Sequence, residues 1–154
     1  MKSEQKLEDT LRNMFRTQYL AVLATQNAGQ PYTSLVAFAA TDDLKQLLFA
    51  TDRSTRKYAN LMSDARAAML IDDRSNRPDD IAHAMAVTAT GTTEILSGDT
   101  VDRLRALYRT KHPQLEEFMS ASSTAFISLN VDRYFAVCRF QDVSELHIKN
   151  ETDV

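Results

Sequence analysis

The stretch Leu48-Phe-Ala-Thr-Asp-Arg-Ser-Thr-Arg-Lys-Tyr-Ala-Asn-Leu61 begins as a short apolar strand, passes through a polar turn and continues as a helix. Its second half has apolar side chains at helical spacing, at Tyr58, Leu61 and Met62. Ser54 is the predicted N-cap, because its hydroxyl can accept a backbone N–H group of the first turn. The stretch therefore predicts a strand–turn–helix unit.

Two cations occupy the first turn of this predicted helix. Arg56 and Lys57 lie at the end where unpaired N–H groups and the helix dipole disfavour positive charge. A bound phosphate would resolve the conflict, since N–H groups, hydroxyls and both cations could hold it. The alternative is that both cations are solvated, with Asp52 and Asp64 as partial counter-charges. The local pattern alone leaves both interpretations open.

Length and composition indicate a single globular domain over residues 1–154. Hydrophobic residues make up 44% and charged residues 25%, and 154 residues are enough for a sizeable core. The net charge of −3 argues against a nucleic-acid partner, which calls for a basic surface. No apolar run is long enough for a membrane span, so no membrane partner is expected. The single cysteine, Cys138, allows no internal disulfide and indicates a cytoplasmic protein.

Glycine and histidine usage argues against several kinds of site. The three glycines are too sparse for a GxGxxG or a Walker A loop, so any phosphate would be held in another way. The three histidines are isolated, with no carboxylate or second histidine at ligand spacing, which predicts no metal site. A haem needs only one axial histidine and no motif, so haem ligation stays open for His83, His112 and His147.

The remaining pattern predicts a mainly β fold with flanking helices. Short strands joined by tight turns, beginning as a meander, favour a barrel or a sandwich. Gly91 inside a threonine-rich strand predicts a bulge or a close backbone approach. The segment from Val143 is weakly patterned and is expected to be partly loose. Strands are predicted at 19–25, 32–40, 46–51, 66–71 and 84–96, and a closing hairpin at 124–129 and 134–140.

Helices are predicted on both sides of the strands. One spans residues 4–16 and another residues 55–63. A third is capped at Asp99 or Thr100, and a fourth, short one follows the break at 112–113. The third helix is expected to bury Val101, Leu104, Leu107 and Tyr108, and the fourth Leu115, Phe118 and Met119.

Several motifs, taken in order, match one known family over about residues 10 to 140. They are Gly29-Gln-Pro31, Ser34-Leu-Val-Ala-Phe38, Leu48-Phe-Ala-Thr51, Ser54-Thr-Arg-Lys57, Asn60-Leu61, Arg66-Ala-Ala-Met-Leu70 and Ala86-Val-Thr-Ala-Thr-Gly91. With them the chain resembles the pyridoxamine 5'-phosphate oxidase-like superfamily, whose members fold as antiparallel, FMN-binding split β-barrels. No single motif is strong, but their order and spacing together are specific.

The resemblance implies an FMN site around the central stretch. Hydroxyls of Thr51 and Thr55 would face the FMN phosphate, and Arg56 and Lys57 would pair with it. Backbone groups of the second strand would contact the isoalloxazine. The implied cofactor-binding residues are Ser34, Leu35, Val36, Ala50, Thr51, Thr55, Arg56, Lys57, Ser75 and Asn76.

The resemblance also implies a homodimer with the cofactor at the subunit interface. The polar loop Arg74-Ser-Asn76 would contact the ring or the ribityl chain, from its own subunit or from the partner subunit, or else be a solvated surface loop. The two alternatives are equally supported at this point.

The chain departs from the members that oxidise pyridoxamine phosphate. Those members carry basic residues on the second strand, where this chain has Ser34 and Ala39. They carry a glutamine where this chain has Ala86, and a C-terminal tryptophan and arginine motif, whereas this chain has no tryptophan. Vitamin B6 oxidation is therefore not the expected activity.

The resulting expectation is an FMN-dependent oxidoreductase acting on a small molecule, with no general acid or base named. One alternative is a haem-binding or haem-utilising split barrel. Another is a barrel that binds a deazaflavin, or no cofactor at all, and is not catalytic.

Overall fold

In the part of the chain that the structure describes, an eight-stranded antiparallel sheet flanked by helices forms the body of the protein. The computed structural model describes residues 2–139 and 142–149, so the predicted strand end at Phe140 lies outside the described residues. The elements are α1 (Lys2–Thr17), β1 (Leu20–Asn27), β2 (Gln30–Ala37), β3 (Ala39–Ala40), β4 (Gln46–Asp52), α2 (Arg56–Ser63), β5 (Arg66–Asp72), α3 (Asp80–His83), β6 (Ala86–Ile95), α4 (Thr100–Lys111), a 3₁₀ turn (Pro113–Leu115), α5 (Glu116–Ser120), β7 (Thr124–Cys138) and β8 (Asp142–His147).

The strand order shows how the sheet curls into a half-barrel. The order is β2-β1-β5-β6-β7-β4-β3, with β8 beside β7. The end strands β2 and β3 are joined through Phe38 alone, so the two edges of the sheet must approach each other. This architecture confirms the predicted split barrel and the antiparallel β1–β2 pair. The predicted meander ends there, because β4 pairs with β7 and not with β2.

The predicted closing hairpin is wrong. Residues 124–138 form one strand of 15 residues, and its first half pairs with β4 while its second half pairs with β8. Val131, at the place of the predicted turn, is buried, and its N–H donates to the Lys45 carbonyl over 2.9 Å. Burial and a backbone partner keep this position extended. The segment from Val143, expected to be partly loose, belongs to β8 up to His147.

The inner face of the sheet and the helices enclose the core. Phe15 of α1 packs edge-on against Phe38, with ring centroids 6.0 Å apart, and lies 5.6 Å from Tyr134. Helix α4 buries Val101, Leu104 and Tyr108, as predicted, but Leu107 is 39% exposed. Among the described residues, no helix is both long enough and apolar enough to cross a membrane.

A half-buried lysine connects α4 to α1. Lys111 Nζ donates to the carbonyls of Phe15 and Gln18, each over 2.6 Å, and lies 3.9 Å from the Phe38 ring centroid. These carbonyls belong to the C-terminal end of α1, where a positive charge is favourable. Burial nevertheless lowers the pKa of Lys111 to about 8. The contact holds α4, and with it α5, close to the junction between β2 and β3.

Candidate functional site

The strand–turn–helix unit forms as predicted, but with a different cap. The N-cap of α2 is Thr55, whose hydroxyl accepts the Tyr58 N–H over 3.3 Å. Ser54, the predicted cap, instead donates its N–H and its hydroxyl to Asp52 Oδ1, over 2.8 and 2.6 Å. An ionised carboxylate two residues away is a stronger partner for the Ser54 hydroxyl than a backbone amide is. The cap therefore moves one residue along the chain.

Two threonine hydroxyls meet at the start of α2. Thr51 is 2% exposed, and its Oγ1 lies 2.7 Å from Thr55 Oγ1. The Thr55 hydroxyl also donates to the Asp52 carbonyl over 2.9 Å. The first amides of α2, at Arg56 and Lys57, have no acceptor within the helix. Hydroxyls and amide donors thus converge on one point.

This point is one end of a groove between β2 and α2, which we call the β2–α2 groove. It has a volume of about 300 Å³ and contains six of the ten predicted cofactor-binding residues: Leu35, Val36, Ala50, Thr51, Thr55 and Lys57. Lys57 is half-buried there. The groove is thus polar and cationic at the α2 end and apolar along β2.

The far wall of the groove comes from helices that the sequence did not connect with the site. Tyr108 of α4, Leu115 of the 3₁₀ turn and Phe118 of α5 line it. Ala37 of β2 and Asp52 of β4 complete the lining. The Tyr108 hydroxyl donates to the Ala37 carbonyl over 3.1 Å, and burial raises the pKa of Tyr108 to about 12. Only the apolar spacing of these helices was visible in the sequence, and it did not show where they pack.

Arg56 faces a different cavity from Lys57. An open cleft of about 750 Å³, which we call the Arg56 cleft, lies on the other side of Thr55. Arg56 Cζ lies 5.7 Å from the centroid of the Tyr32 ring. The cleft is lined by Asn27, Gln30, Pro31, Tyr32, Ser54, Thr55, Arg56, Ala59 and Asn60. Arg56 thus lines the cleft and Lys57 the groove, and Thr55 lies at the boundary of both.

The other predicted residues lie outside the groove. Ser34 is half-buried on β2, and its hydroxyl oxygen is buried without a hydrogen-bond partner in the described part of the chain. Ser75 donates its N–H and its hydroxyl to Asp80 Oδ1, each over 3.1 Å. Asn76 is exposed and has a φ of 64°. Within one chain, Ser75 and Asn76 line neither the groove nor the cleft.

The charged groups around the groove differ in whether another residue already binds them. Hydrogen bonds from the Ser54 side chain and N–H hold the pKa of Asp52 below its usual range, so this carboxylate is ionised at neutral pH. It is already engaged by Ser54. By contrast, no carboxylate in residues 2–139 or 142–149 forms an ion pair with Arg56 or Lys57. Both cations remain available to an anion.

The histidines lie away from the groove. His112 is 1% exposed, its Nε2 lies 2.7 Å from the Phe38 carbonyl oxygen, and burial lowers its pKa. His83 and His147 are exposed, and His147 pairs with Glu145 over 3.2 Å. In the ranges that the structure describes, no group of three or more histidine, cysteine, aspartate or glutamate residues could hold a metal ion.

A family model matches most of the chain. The model described as pyridoxamine 5'-phosphate oxidase matches residues 7–138, which include every residue of the β2–α2 groove. The chain belongs to this family. Membership in the pyridoxamine 5'-phosphate oxidase family confirms the resemblance stated from the motifs. No protein of curated function matches the chain.

Solved structures similar to this pyridoxamine 5'-phosphate oxidase family member have different ligands in their names. A haem-binding protein from Mycobacterium smegmatis is 20% identical with a TM-score of 0.81, covering 91% of this chain and 57% of its own. HutZ, the haem storage protein from Vibrio cholerae, is 12% identical with a TM-score of 0.71, covering 92% and 94%. An FAD-binding protein from Mesorhizobium loti is 16% identical with a TM-score of 0.65, covering 85% and 90%.

These similarities establish the fold. The chain spans less than two thirds of the length of the Mycobacterium smegmatis protein and 60% of Campylobacter jejuni ChuZ. Both flavin and haem occur among the names of the related structures. The choice between them depends on the residues of this chain.

Proposed function

We propose that the chain binds FMN in the β2–α2 groove and acts as a flavin-dependent oxidoreductase on a small molecule. The observation that carries this proposal is the polarity of the groove. Lys57, Thr51 and Thr55 lie at one end, while Leu35, Val36 and Phe118 line the rest. A flavin mononucleotide has the same division between a phosphate end and a flat apolar ring.

The polar end of the groove has groups that can hold a phosphate. Lys57 supplies a charge and the start of α2 supplies amides, while the Thr51 and Thr55 hydroxyls, bonded to each other over 2.7 Å, lie beside them. The β2 end of the groove suits the isoalloxazine ring, because β2 is an edge strand in the described sheet and pairs only with β1. Its backbone groups at Ser34, Leu35 and Val36 can therefore face a ligand.

The flavin would supply two-electron redox chemistry, while the protein binds and orients it. No side chain of the groove is a ready general acid or base. Asp52 accepts two hydrogen bonds from Ser54, and the Tyr108 hydroxyl donates to the Ala37 carbonyl. We therefore place the acid–base groups of any reaction on the substrate or on solvent.

We do not propose vitamin B6 oxidation. The positions where the pyridoxamine phosphate-oxidising members carry basic residues hold Ser34 and Ala39, and Ala39 is fully buried. Neither can pair with the phosphate of a B6 vitamer. We also propose that the chain is one domain, because the described strands all belong to one sheet. We propose that it is cytoplasmic, because its one cysteine is a free thiol.

We also propose that the chain forms a homodimer. Leu35 lies opposite Val22 in the β1–β2 pair, and Leu70 lies opposite Val22 in the β1–β5 pair. These three side chains and Leu20 share the side of the sheet that faces away from the core, which we call the outer face. Leu35 belongs to both the outer face and the groove, so a second copy docked there would border the cofactor. Arg74 borders the same face as Leu20 and Leu70, which favours a contribution of the 74–76 loop across the dimer.

Substituting Leu20 with aspartate is expected to convert the dimer to a monomer. Leu20 is 52% exposed, so the change leaves the core intact, but it places a charge in the apolar contact. Sedimentation velocity at low micromolar concentration measures the result. Met62→Asp is the matched control, because Met62 is 51% exposed on α2 and not on the outer face. A wild-type protein that sediments only as a monomer would contradict the shared-site proposal.

Haem is the second candidate, favoured by the two haem proteins among the related structures. The positions of the histidines in this chain give little support for an axial haem ligand. His112 is 1% exposed and its Nε2 contacts the Phe38 carbonyl, and neither His83 nor His147 lines the groove or the Arg56 cleft. A Soret band on haem titration that is lost in His83→Ala or His147→Ala would favour haem over flavin.

The experiment that tests the proposal identifies the ligand of the purified protein. Absorbance followed by mass spectrometry of the released ligand separates FMN, haem and deazaflavin, and FMN added to the apoprotein measures affinity. We expect yellow protein, or uptake of added FMN with a micromolar or lower Kd. Protein that is colourless and takes up no FMN at micromolar concentration would overturn the flavin assignment.

A further inference from the structure

A pocket between α1, β3 and α4, which we call the α1–α4 pocket, lies apart from the flavin site. In the described part of the chain it shares no lining residue with the β2–α2 groove or the Arg56 cleft. Its volume of about 280 Å³ is near the lower end of the range for small-molecule sites. That volume equals roughly nine water molecules, so a fitting ligand has about ten non-hydrogen atoms.

The inner part of the pocket is apolar. Phe15, Ala39 and Leu44 line it, and each is at most 2% exposed. Ala39 and Ala40 have small side chains, which leaves space beside β3. Leu107 of α4 borders the solvent side and is 39% exposed, although its helical spacing predicted burial. A hydrocarbon chain in the pocket would cover Leu107 and remove its apolar surface from water.

The solvent side of the pocket carries three cations. Arg12, Arg16 and Lys111 line it, and Asp42 is the one carboxylate among the described lining residues. Arg12 is already held by two carboxylates of its own helix and by the Asp42 carbonyl. Arg16 is exposed and forms no ion pair within the ranges that the structure describes. Its guanidinium is therefore free to bind an anion at the mouth of the pocket.

The charge of Lys111 is only partly compensated. Its Nζ donates two of its three N–H groups to the carbonyls of Phe15 and Gln18. Burial still lowers the pKa of Lys111 to about 8, and no described carboxylate lies within ion-pair distance of it. An anion in the pocket would therefore stabilise the ammonium form of Lys111.

A single negative charge suits this pocket better than a phosphate dianion does. The C-terminal ends of α1 and α4 lie beside it, at Thr17 and Lys111. The dipoles of both helices place partial negative charge at these ends, which disfavours a second negative charge on the ligand. The start of α2, with its free amides, offers the opposite environment and serves the flavin phosphate.

From this arrangement we propose that the α1–α4 pocket binds a small alkyl carboxylate, with its chain against Phe15 and Leu44 and its carboxylate beside Arg16. The alkyl chain occupies the apolar inner part and covers Leu107. The carboxylate stays at the solvent side, in the field of Arg16 and Lys111. This site does not depend on the proposed flavin site.

The first experiment titrates the full chain with octanoate by ligand-observed NMR. We expect a Kd on the order of 0.1 mM, which a ligand of about ten non-hydrogen atoms can reach. Octanamide has the same chain without the charge and should bind about fivefold more weakly. Octylamine carries the opposite charge and should not bind. Equal affinities for all three compounds, or no octanoate binding at millimolar concentration, would overturn the proposal.

The second experiment tests the position of the site with two exposed residues, since Lys111 also connects α1 to α4 and its replacement could disturb the fold. Arg16→Met should weaken octanoate about fivefold and leave octanamide unchanged. Leu107→Asp should weaken both compounds about tenfold or more, because it removes apolar contact and adds a negative charge. Circular dichroism and thermal unfolding check that both variants fold. Octanoate that binds both variants as well as it binds the wild type would contradict the proposed position.

Two controls separate this pocket from other cationic surfaces. Lys6→Met removes an exposed charge of α1 that does not line the pocket, so octanoate affinity should stay unchanged. Added FMN should also leave octanoate affinity unchanged, because the pocket and the groove share no described residue. Octanoate that is displaced by FMN would lie in the groove, and that result would overturn the assignment to the α1–α4 pocket.

Discussion

Replacing Gly91 with alanine is expected to lower the free energy of unfolding by about 3 kcal/mol or more. A Cβ atom at this position would lie 2.0 Å from the Asn130 carbonyl oxygen, 2.9 Å from its carbonyl carbon and 3.1 Å from Val131 Cα. All three are backbone atoms of β7, so no side chain can rotate away. Relief requires β6 and β7 to separate at the bulge between Thr90 and Gly91. For a chain of this length the loss corresponds to a decrease in Tm of about 6–12 °C.

Gly29→Ala is the matched control for this prediction. Gly29 has a φ of 84°, but a Cβ there would meet no atom within 4 Å. Its cost is limited to the left-handed backbone, about 1–2 kcal/mol. Thermal and urea unfolding of the two variants measure the difference. A Gly91→Ala protein as stable as Gly29→Ala would mean that the two strands do not approach as closely as the structure shows.

The Gly91 contact illustrates what local pattern can predict. A glycine inside a threonine-rich strand predicted a bulge or close approach, and the register shift lies at that glycine. The same kind of local evidence predicted the β1–β2 pair, β4 and α2. Each depends on residues close together in the chain, where turn chemistry and periodicity act directly.

Features set by distant residues were missed. The four residues from Asn130 to Arg133 resemble a turn only until Val131 is seen to be buried and bonded to Lys45. Likewise, the apolar stripe of α4 and α5 could not show that Tyr108 and Phe118 line the groove. That position depends on Lys111 binding the end of α1, far away in sequence.

The candidate site, like the fold, was predicted only in part. The central stretch and the second strand do meet in one groove, as the family resemblance implied. The contact of Arg56 with Tyr32 was not predictable, because β2 brings the Tyr32 ring beside α2 from a distant part of the chain. Two adjacent residues of a helix point about 100° apart, so neighbours in sequence can serve different cavities.

Replacing Lys57 with methionine is expected to weaken FMN binding by about 10- to 100-fold. Lys57 is the half-buried cation of the groove, and no carboxylate of the described ranges pairs with it. A hydrogen bond to a charged group contributes about 1.5–3 kcal/mol, which gives this range of affinity. Methionine keeps the apolar stem of the side chain and removes only the charge, so the fold should persist. Flavin-fluorescence titration at fixed ionic strength measures the loss.

Riboflavin turns this measurement into a test of the phosphate itself. Riboflavin has the same ring and ribityl chain as FMN but no phosphate, so its affinity should be the same in wild-type protein and in Lys57→Met. The FMN-to-riboflavin affinity ratio therefore isolates the contact between Lys57 and the phosphate. Lys6→Met removes an equal charge from the exposed face of α1 and should leave the ratio unchanged. If Lys57→Met weakened riboflavin as much as FMN, Lys57 would act on the shape of the groove and the phosphate would lie elsewhere.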